Sequence, residues 1–100
     1  MNEVVPLRSL LRQLRADRGE SLRAAASALG IDAAHLLRVE RGEKSASLEL
    51  CERLANYYDV EPDVVALASG RAPDDVVDIL RKHPELLAKI RRDYGQAGDR

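Results

Sequence analysis

Two short apolar stripes, each closed by a glycine, constrain this 100-residue chain more than any other feature. Ser21 stands before the first as an N-cap, and Leu22, Ala25, Ala26 and Leu29 then recur at three- and four-residue spacing up to Gly30, whose missing Cβ permits a left-handed turn. The spacing predicts a helix of only about two turns. Ile31 points back at the core, Asp32 is placed to cap the next helix, and Leu36 and Val39 give that helix a short buried face before Gly42 stops it. Two helices joined by so short a glycine-containing turn must cross steeply.

The same periodicity continues on both sides of the pair. After Pro6, Leu7, Leu10, Leu11 and Leu14 form one helix face ending at Gly19, with Arg8, Arg12 and Arg18 on other faces. Glu43 to Ala46 reads as a loop. Ser47 caps a fourth helix with Leu48, Cys51, Leu54, Ala55 and Tyr58 as its inner stripe and Leu50 off it, and Pro62 opens a fifth that runs to about Ser69. Gly70 to Pro73 reads as a hinge. Beyond it Val76, Val77, Ile79 and Leu80, then Leu86, Leu87 and Ile90, keep helical spacing on either side of Pro84, which breaks or kinks the segment. The expected organisation is a domain over residues 1–69, a helical extension over 70–94 and a disordered tail over 95–100.

Composition narrows the functional classes. Phe and Trp are absent and β-branched residues are few, so an all-α fold is expected. The single cysteine, Cys51, excludes an internal disulfide and thiolate metal clusters, and on the inner stripe of the fourth helix it reads as a small core residue rather than a nucleophile. His35 and His83 lie far apart with no carboxylates at ligand spacing, so neither a metal site nor a cofactor is expected. No glycine-rich phosphate loop follows a strand, and Tyr57, Tyr58 and Tyr94 are too scattered for base-stacking recognition of RNA. An enzyme is not expected. No apolar run approaches the roughly 18 residues of a spanning helix and no signal segment opens the chain, so a cytoplasmic protein without a membrane partner is expected. The net charge of −1 is unusual for a nucleic-acid binder, but residues 1–58 hold nine Lys/Arg against eight Asp/Glu while residues 59–100 hold seven against nine. A polyanion would be tolerated at the N-terminal part.

The segment Ser21-Leu-Arg-Ala-Ala-Ala-Ser-Ala-Leu-Gly-Ile-Asp-Ala-Ala-His-Leu-Leu-Arg-Val-Glu-Arg-Gly42, followed by Ser47-Leu-Glu-Leu-Cys-Glu-Arg-Leu-Ala55, resembles the Cro/cI-like (XRE) helix-turn-helix family of phage and bacterial repressors. The resemblance runs from about Leu7 to Val60. It implies a five-helix lambda-repressor-like domain, here with a short C-terminal helical extension, that binds double-stranded DNA as a homodimer on a palindromic operator and regulates transcription, by family default as a repressor. The second helix of the pair, about Ala33 to Arg41, would then lie in the major groove, with the helix before it crossing the backbone. Asp32 and the base-contact candidates Ala33, Ala34, His35, Leu37 and Arg38 would face the DNA. Arg38 is the best base reader, since a guanidinium donates twice to guanine O6 and N7; the plain alternative is a solvated helix charge. Ala33, Ala34 and Leu37 depart from the family by offering only apolar contact, and Leu22 stands where the family often has Gln. His35 either donates to a base or phosphate or covers the helix start. Phosphate contacts by resemblance are Ser21, Arg23, Arg41, Lys44, Ser45 and Ser47.

Glu40 follows Leu36 by four positions, at the edge of a buried face where an unpaired carboxylate is costly. The resemblance supplies Arg15 as its partner, a structural ion pair between the first helix and the recognition helix. Residues 70–94 either fold back to complete the monomer core or form a dimer interface through Val76, Val77, Leu80, Leu86, Leu87 and Ile90, with Leu50 joining it. A rival reading is a protein-interaction module, for instance the antitoxin-like partner of a toxin, a regulator captured by a protease, or the partner of a second regulatory protein, in which DNA binding is secondary or lost.

Overall fold

The computed structural model describes residues 3–95, which form seven helices and no strand. They are α1 (Leu7–Asp17), α2 (Leu22–Leu29), α3 (Ala33–Glu40), α4 (Leu48–Tyr58), α5 (Pro62–Ala68), α6 (Asp74–Lys82) and α7 (Glu85–Tyr94). The expected tail over 95–100 lies outside the described residues from position 96 onward. The fold is all-α as expected, with α1 to α5 packed around one core in which α3 lies against α1 and α2, and α4 against α2 and α5.

Local chemistry sets the helix ends. Ser21 Oγ accepts from the Ala24 N–H and Ser47 Oγ from the Leu50 N–H, each at 3.1 Å, so both serines satisfy an N–H that helix geometry leaves unpaired. Gly30, at φ +73°, closes α2 while the Ile31 N–H returns to the Ala26 carbonyl at 3.0 Å. A Cβ at Gly30 would stand 3.3 Å from Arg53 Nη1, the group that donates to the free Leu29 carbonyl at 3.1 Å. Asp32 occupies the N-cap position of α3 but its side chain makes no capping bond, contrary to expectation. The first helix ends at Asp17, and Gly19 takes the left-handed turn two residues later.

The core is Leu7, Leu11, Ala25, Ala26, Leu29, Leu36, Val39, Leu54, Ala55, Val65 and their neighbours. The stripe of α4 differs from expectation: Leu50 is 4% exposed and belongs to the core, whereas Leu48 is 60% exposed. The inner face is centred on Leu50, Leu54 and Tyr58, a four-residue row that leaves Leu48 roughly a third of a turn aside. Leu50 is therefore not available to an interface. Ala46, in a segment that reads as loop, is buried because the chain crosses the core before α4, and its carbonyl accepts from Arg71 Nη2 at 2.7 Å.

A polar network ties four elements together. The Glu40 carboxylate, in a residue 2% exposed, accepts from Arg15 Nε at 2.8 Å and Nη2 at 3.1 Å, while Arg15 Nη1 donates to the Glu20 carbonyl at 3.2 Å. Glu20 in turn accepts from Tyr57 Oη at 2.6 Å and from Tyr58 Oη, at the C-terminal end of α4. Arg18 lies 4.7 Å from the Tyr57 ring centroid and 4.8 Å from that of Tyr58, and donates to the Tyr57 carbonyl at 2.6 Å. Glu40 raises the already high pKa of Arg15. Burial, followed by the bond to Glu20, raises that of the Tyr58 phenol.

The asymmetry of the pair gives a first prediction. Arg15→Met strands a carboxylate whose side chain is 3% exposed and should cost about 3–5 kcal/mol. Glu40→Gln leaves a guanidinium with 26% exposure free to turn to water and should cost clearly less. Thermal denaturation of both variants checks the order, and equal losses would contradict it. The phenol gives a second. A tyrosine whose folded pKa lies above its unfolded value of about 10 adds stability in full below that value, and loses it as pH rises through it toward the folded pKa. The melting temperature of the parent should fall more steeply than that of Tyr58→Phe on moving from neutral pH into this alkaline range; parallel curves would remove the phenol from the network.

Candidate nucleic-acid interface

The buried side of α3 is Leu36, Val39 and Glu40, so its orientation is set from within by two apolar contacts and one ion pair. The opposite side presents Ala34, Arg38 and, just past the helix, Arg41, all exposed and spaced by four and three residues along one line. Ala33, His35 and Leu37 are half-buried on its flanks, and Ala33 packs against the core. Five potential base-contact residues thus divide into an exposed pair, Ala34 and Arg38, and three that touch both protein and solvent. Arg38 and Arg41 sit at the C-terminal end of the helix, where a cation is also favourable to the helix dipole.

The other residues expected at phosphates lie on the segments before and after α3. Ser21 and Arg23 are exposed at the start of α2, and Lys44, Ser45 and Ser47 are exposed between α3 and α4. The Ser21 and Ser47 oxygens already accept from helix N–H groups, which leaves their hydroxyl hydrogens to be donated outward. Backbone geometry places the loop: Gly42, at φ +76°, allows the Glu43 N–H to return to the Arg38 carbonyl at 2.9 Å, turning Lys44 beside α1. Lys44 and Ser45 share a hollow there with Pro6, Leu7 and Arg8.

Charge pairing separates structural from available cations. Up to residue 71, Arg15 and Arg53 hold carboxylates, Arg18 covers two tyrosine rings, and Arg71 holds a carbonyl. Arg8, Arg12, Arg23, Arg38, Arg41 and Lys44 make no ion pair with any described carboxylate. Such a group can meet phosphate without first giving up a protein partner. Two of the six, Arg8 and Arg12, follow no expectation from the sequence beyond being off the apolar face of α1. The signal that finds them is the interval to Arg15: positions 8, 12 and 15 share one helical line, so once Arg15 reaches Glu40 the other two must run beside α3.

Among the described residues no group of His, Cys, Asp and Glu is placed to hold a metal ion, and no helix is long and apolar enough to cross a membrane. Cys51 is buried, with Sγ 3.2 Å from Ser69 Oγ and 3.5 Å from Arg71 Nη1. The residues named as a dimer interface fall in two groups. Val76, Leu87 and Ile90 are exposed, as are Ile79 and Tyr94, while Val77, Leu80 and Leu86 are half-buried. Helices α6 and α7 pack on each other and add no buried residue to the core.

No significant match was found among curated proteins or solved structures. The helix-turn-helix domain family matches the chain over residues 6–68, a span that begins just before α1 and ends with α5. Together with the α2–Gly30–α3 pair, capped by Ser21 at its start and turned at Gly30, this match, in agreement with the Cro/cI-like resemblance, places the chain in the helix-turn-helix domain family of DNA-binding regulators.

Proposed function

We propose that the protein is a sequence-specific transcriptional repressor that sets α3 in the major groove of a palindromic operator and binds as a homodimer. The observation that carries the reading is the distribution of cations: up to residue 71 the arginines without an internal partner, Arg8, Arg12, Arg23, Arg38 and Arg41, lie on α1, α2 and the α3 helix with its C-cap, whereas Arg53 of α4 and Arg71 beyond α5 are engaged. Arg38 reads a base edge, and Ala33, Ala34 and Leu37 offer apolar contact of the kind that suits a thymine methyl group. Ser21, Arg23, Arg41, Lys44, Ser45 and Ser47 hold phosphates, and His35 lies beside them. The chain acts without catalysis in this reading, and works in the cytoplasm.

The dimer is supported by the hairpin of α6 and α7. A helix pair with Val76, Ile79, Leu87, Ile90 and Tyr94 exposed and no contribution to the monomer core is most readily covered by a symmetry mate. The same exposed face is what favours the second reading, a module that captures another regulatory protein.

Binding titrations at several salt concentrations test the DNA contacts. Arg38→Ala should cost about 1–3 kcal/mol per half-site and flatten the preference at one base pair, whereas Lys44→Ala should weaken specific and scrambled duplexes alike. Equal losses on both duplexes for Arg38→Ala would transfer sequence selection to DNA shape. For the dimer, the exposed pair Ile79→Asp with Ile90→Asp should give a folded monomer by sedimentation with weakened operator binding, because linking two half-site contacts multiplies affinity. A parent that sediments as a monomer would favour the second reading.

A further inference from the structure

Arg8, Ser9, Arg12 and Arg41 line one hollow of about 180 Å³ where the first turns of α1 pass the end of α3. Glu40 borders it too, yet its carboxylate is engaged by Arg15 and makes no ion pair with the three guanidiniums around the hollow. None of the three has an ion pair with a described carboxylate. Gly42 lets Arg8 lie across the loop, since a Cβ there would meet Arg8 Cδ at 3.2 Å and Nη1 at 3.4 Å. Arg8 also lines the neighbouring hollow with Lys44 and Ser45, which makes the two hollows one cationic strip.

Three like charges held on two packed helices repel one another unless an anion joins them. Guanidiniums present paired donors that match the oxygens of a phosphate, and Ser9 adds a hydroxyl donor. The strip borders Lys44 and Ser45, the loop expected at phosphates, and continues away from the base-reading line of α3. We infer that Arg8 and Arg12, with Arg41, clamp a backbone phosphate of duplex DNA beyond the bases that α3 reads. This inference rests on the DNA-binding reading and extends its footprint onto α1.

The test uses the full chain and its Arg8→Ala, Arg12→Ala, doubly substituted and Arg8→Lys variants, titrated on operator and random duplexes across a salt series. Each arginine removed should lower the salt slope by about one per bound monomer and weaken both duplexes by the same factor. The double variant should lower it by about two, and Arg8→Lys should retain most of the parent slope because the charge is kept. Melting temperatures should stay near that of the parent, since both side chains are exposed. A double variant with the parent slope, from a parent that does bind duplex, overturns the clamp and leaves the DNA reading intact. An unchanged DNA slope together with parent-only protection from melting by inorganic pyrophosphate also overturns it, in favour of a free phosphate ligand. A parent that binds no duplex at all overturns the DNA reading and the clamp with it.

Discussion

The carboxylate of Glu40 sits at the C-terminal end of α3 in a residue 2% exposed, and its two bonds from Arg15 make that position tolerable. An acid near a helix C-terminus is unfavourable to the helix dipole, and a buried one also loses its hydration. The bidentate guanidinium offsets both losses and demands a fixed geometry, so α3 is held against α1 at one rotation about its axis. The desolvation cost of a buried pair can match its Coulombic gain, so its presence is weak evidence for net stability. The rotation held here is the one that turns Ala34, Arg38 and Arg41 outward. The third donor of Arg15 reaches the Glu20 carbonyl, and Glu20 binds two phenols of α4, so the rotation of α3 is tied through the α1–α2 turn to the far side of the core.

Net charge conceals this division of labour. A chain of charge −1 with pI near 6.1 carries six cations without a described ion pair on α1, α2, α3 and the loop that follows, and Asp32 and Glu43 at the two ends of α3 are likewise exposed and unpaired. Glu40, Glu20 and Glu49 are engaged by Arg15, two tyrosines and Arg53, and the acids of α5 and α6 lie beyond residue 60. The field that a polyanion meets depends on the local arrangement, and at one face the arrangement is basic.

Much of the headpiece was legible from local pattern. Ser21, Gly30 and Ser47 act through backbone geometry within a few residues of themselves, so cap and turn chemistry located α2, α3 and α4 without tertiary information. Pro84 likewise separates α6 from α7. The Arg15–Glu40 pair was reached through resemblance, as twenty-five residues of chain separate its partners. The stripe of α4 was misjudged at its first turn, where Leu48 and Leu50 are both leucine and only packing against α2 and α5 decides which faces in. Asp32 has the chemistry of a cap and does not use it, since the side-chain rotamer answers to more than position in the chain.

What the sequence determined by itself is therefore the set of helices and the α2–Gly30–α3 pair, because periodicity, capping and left-handed glycine turns are properties of neighbouring residues. Which arginines would be spent on the fold and which left outward was decided by tertiary structure alone. Arg8, Arg12 and Arg15 occupy one line of α1 and are chemically identical, yet only Arg15 bonds the buried carboxylate of Glu40. The distinction lies in the partner helix, brought alongside by packing, and no local rule encodes which residue of a line will meet it.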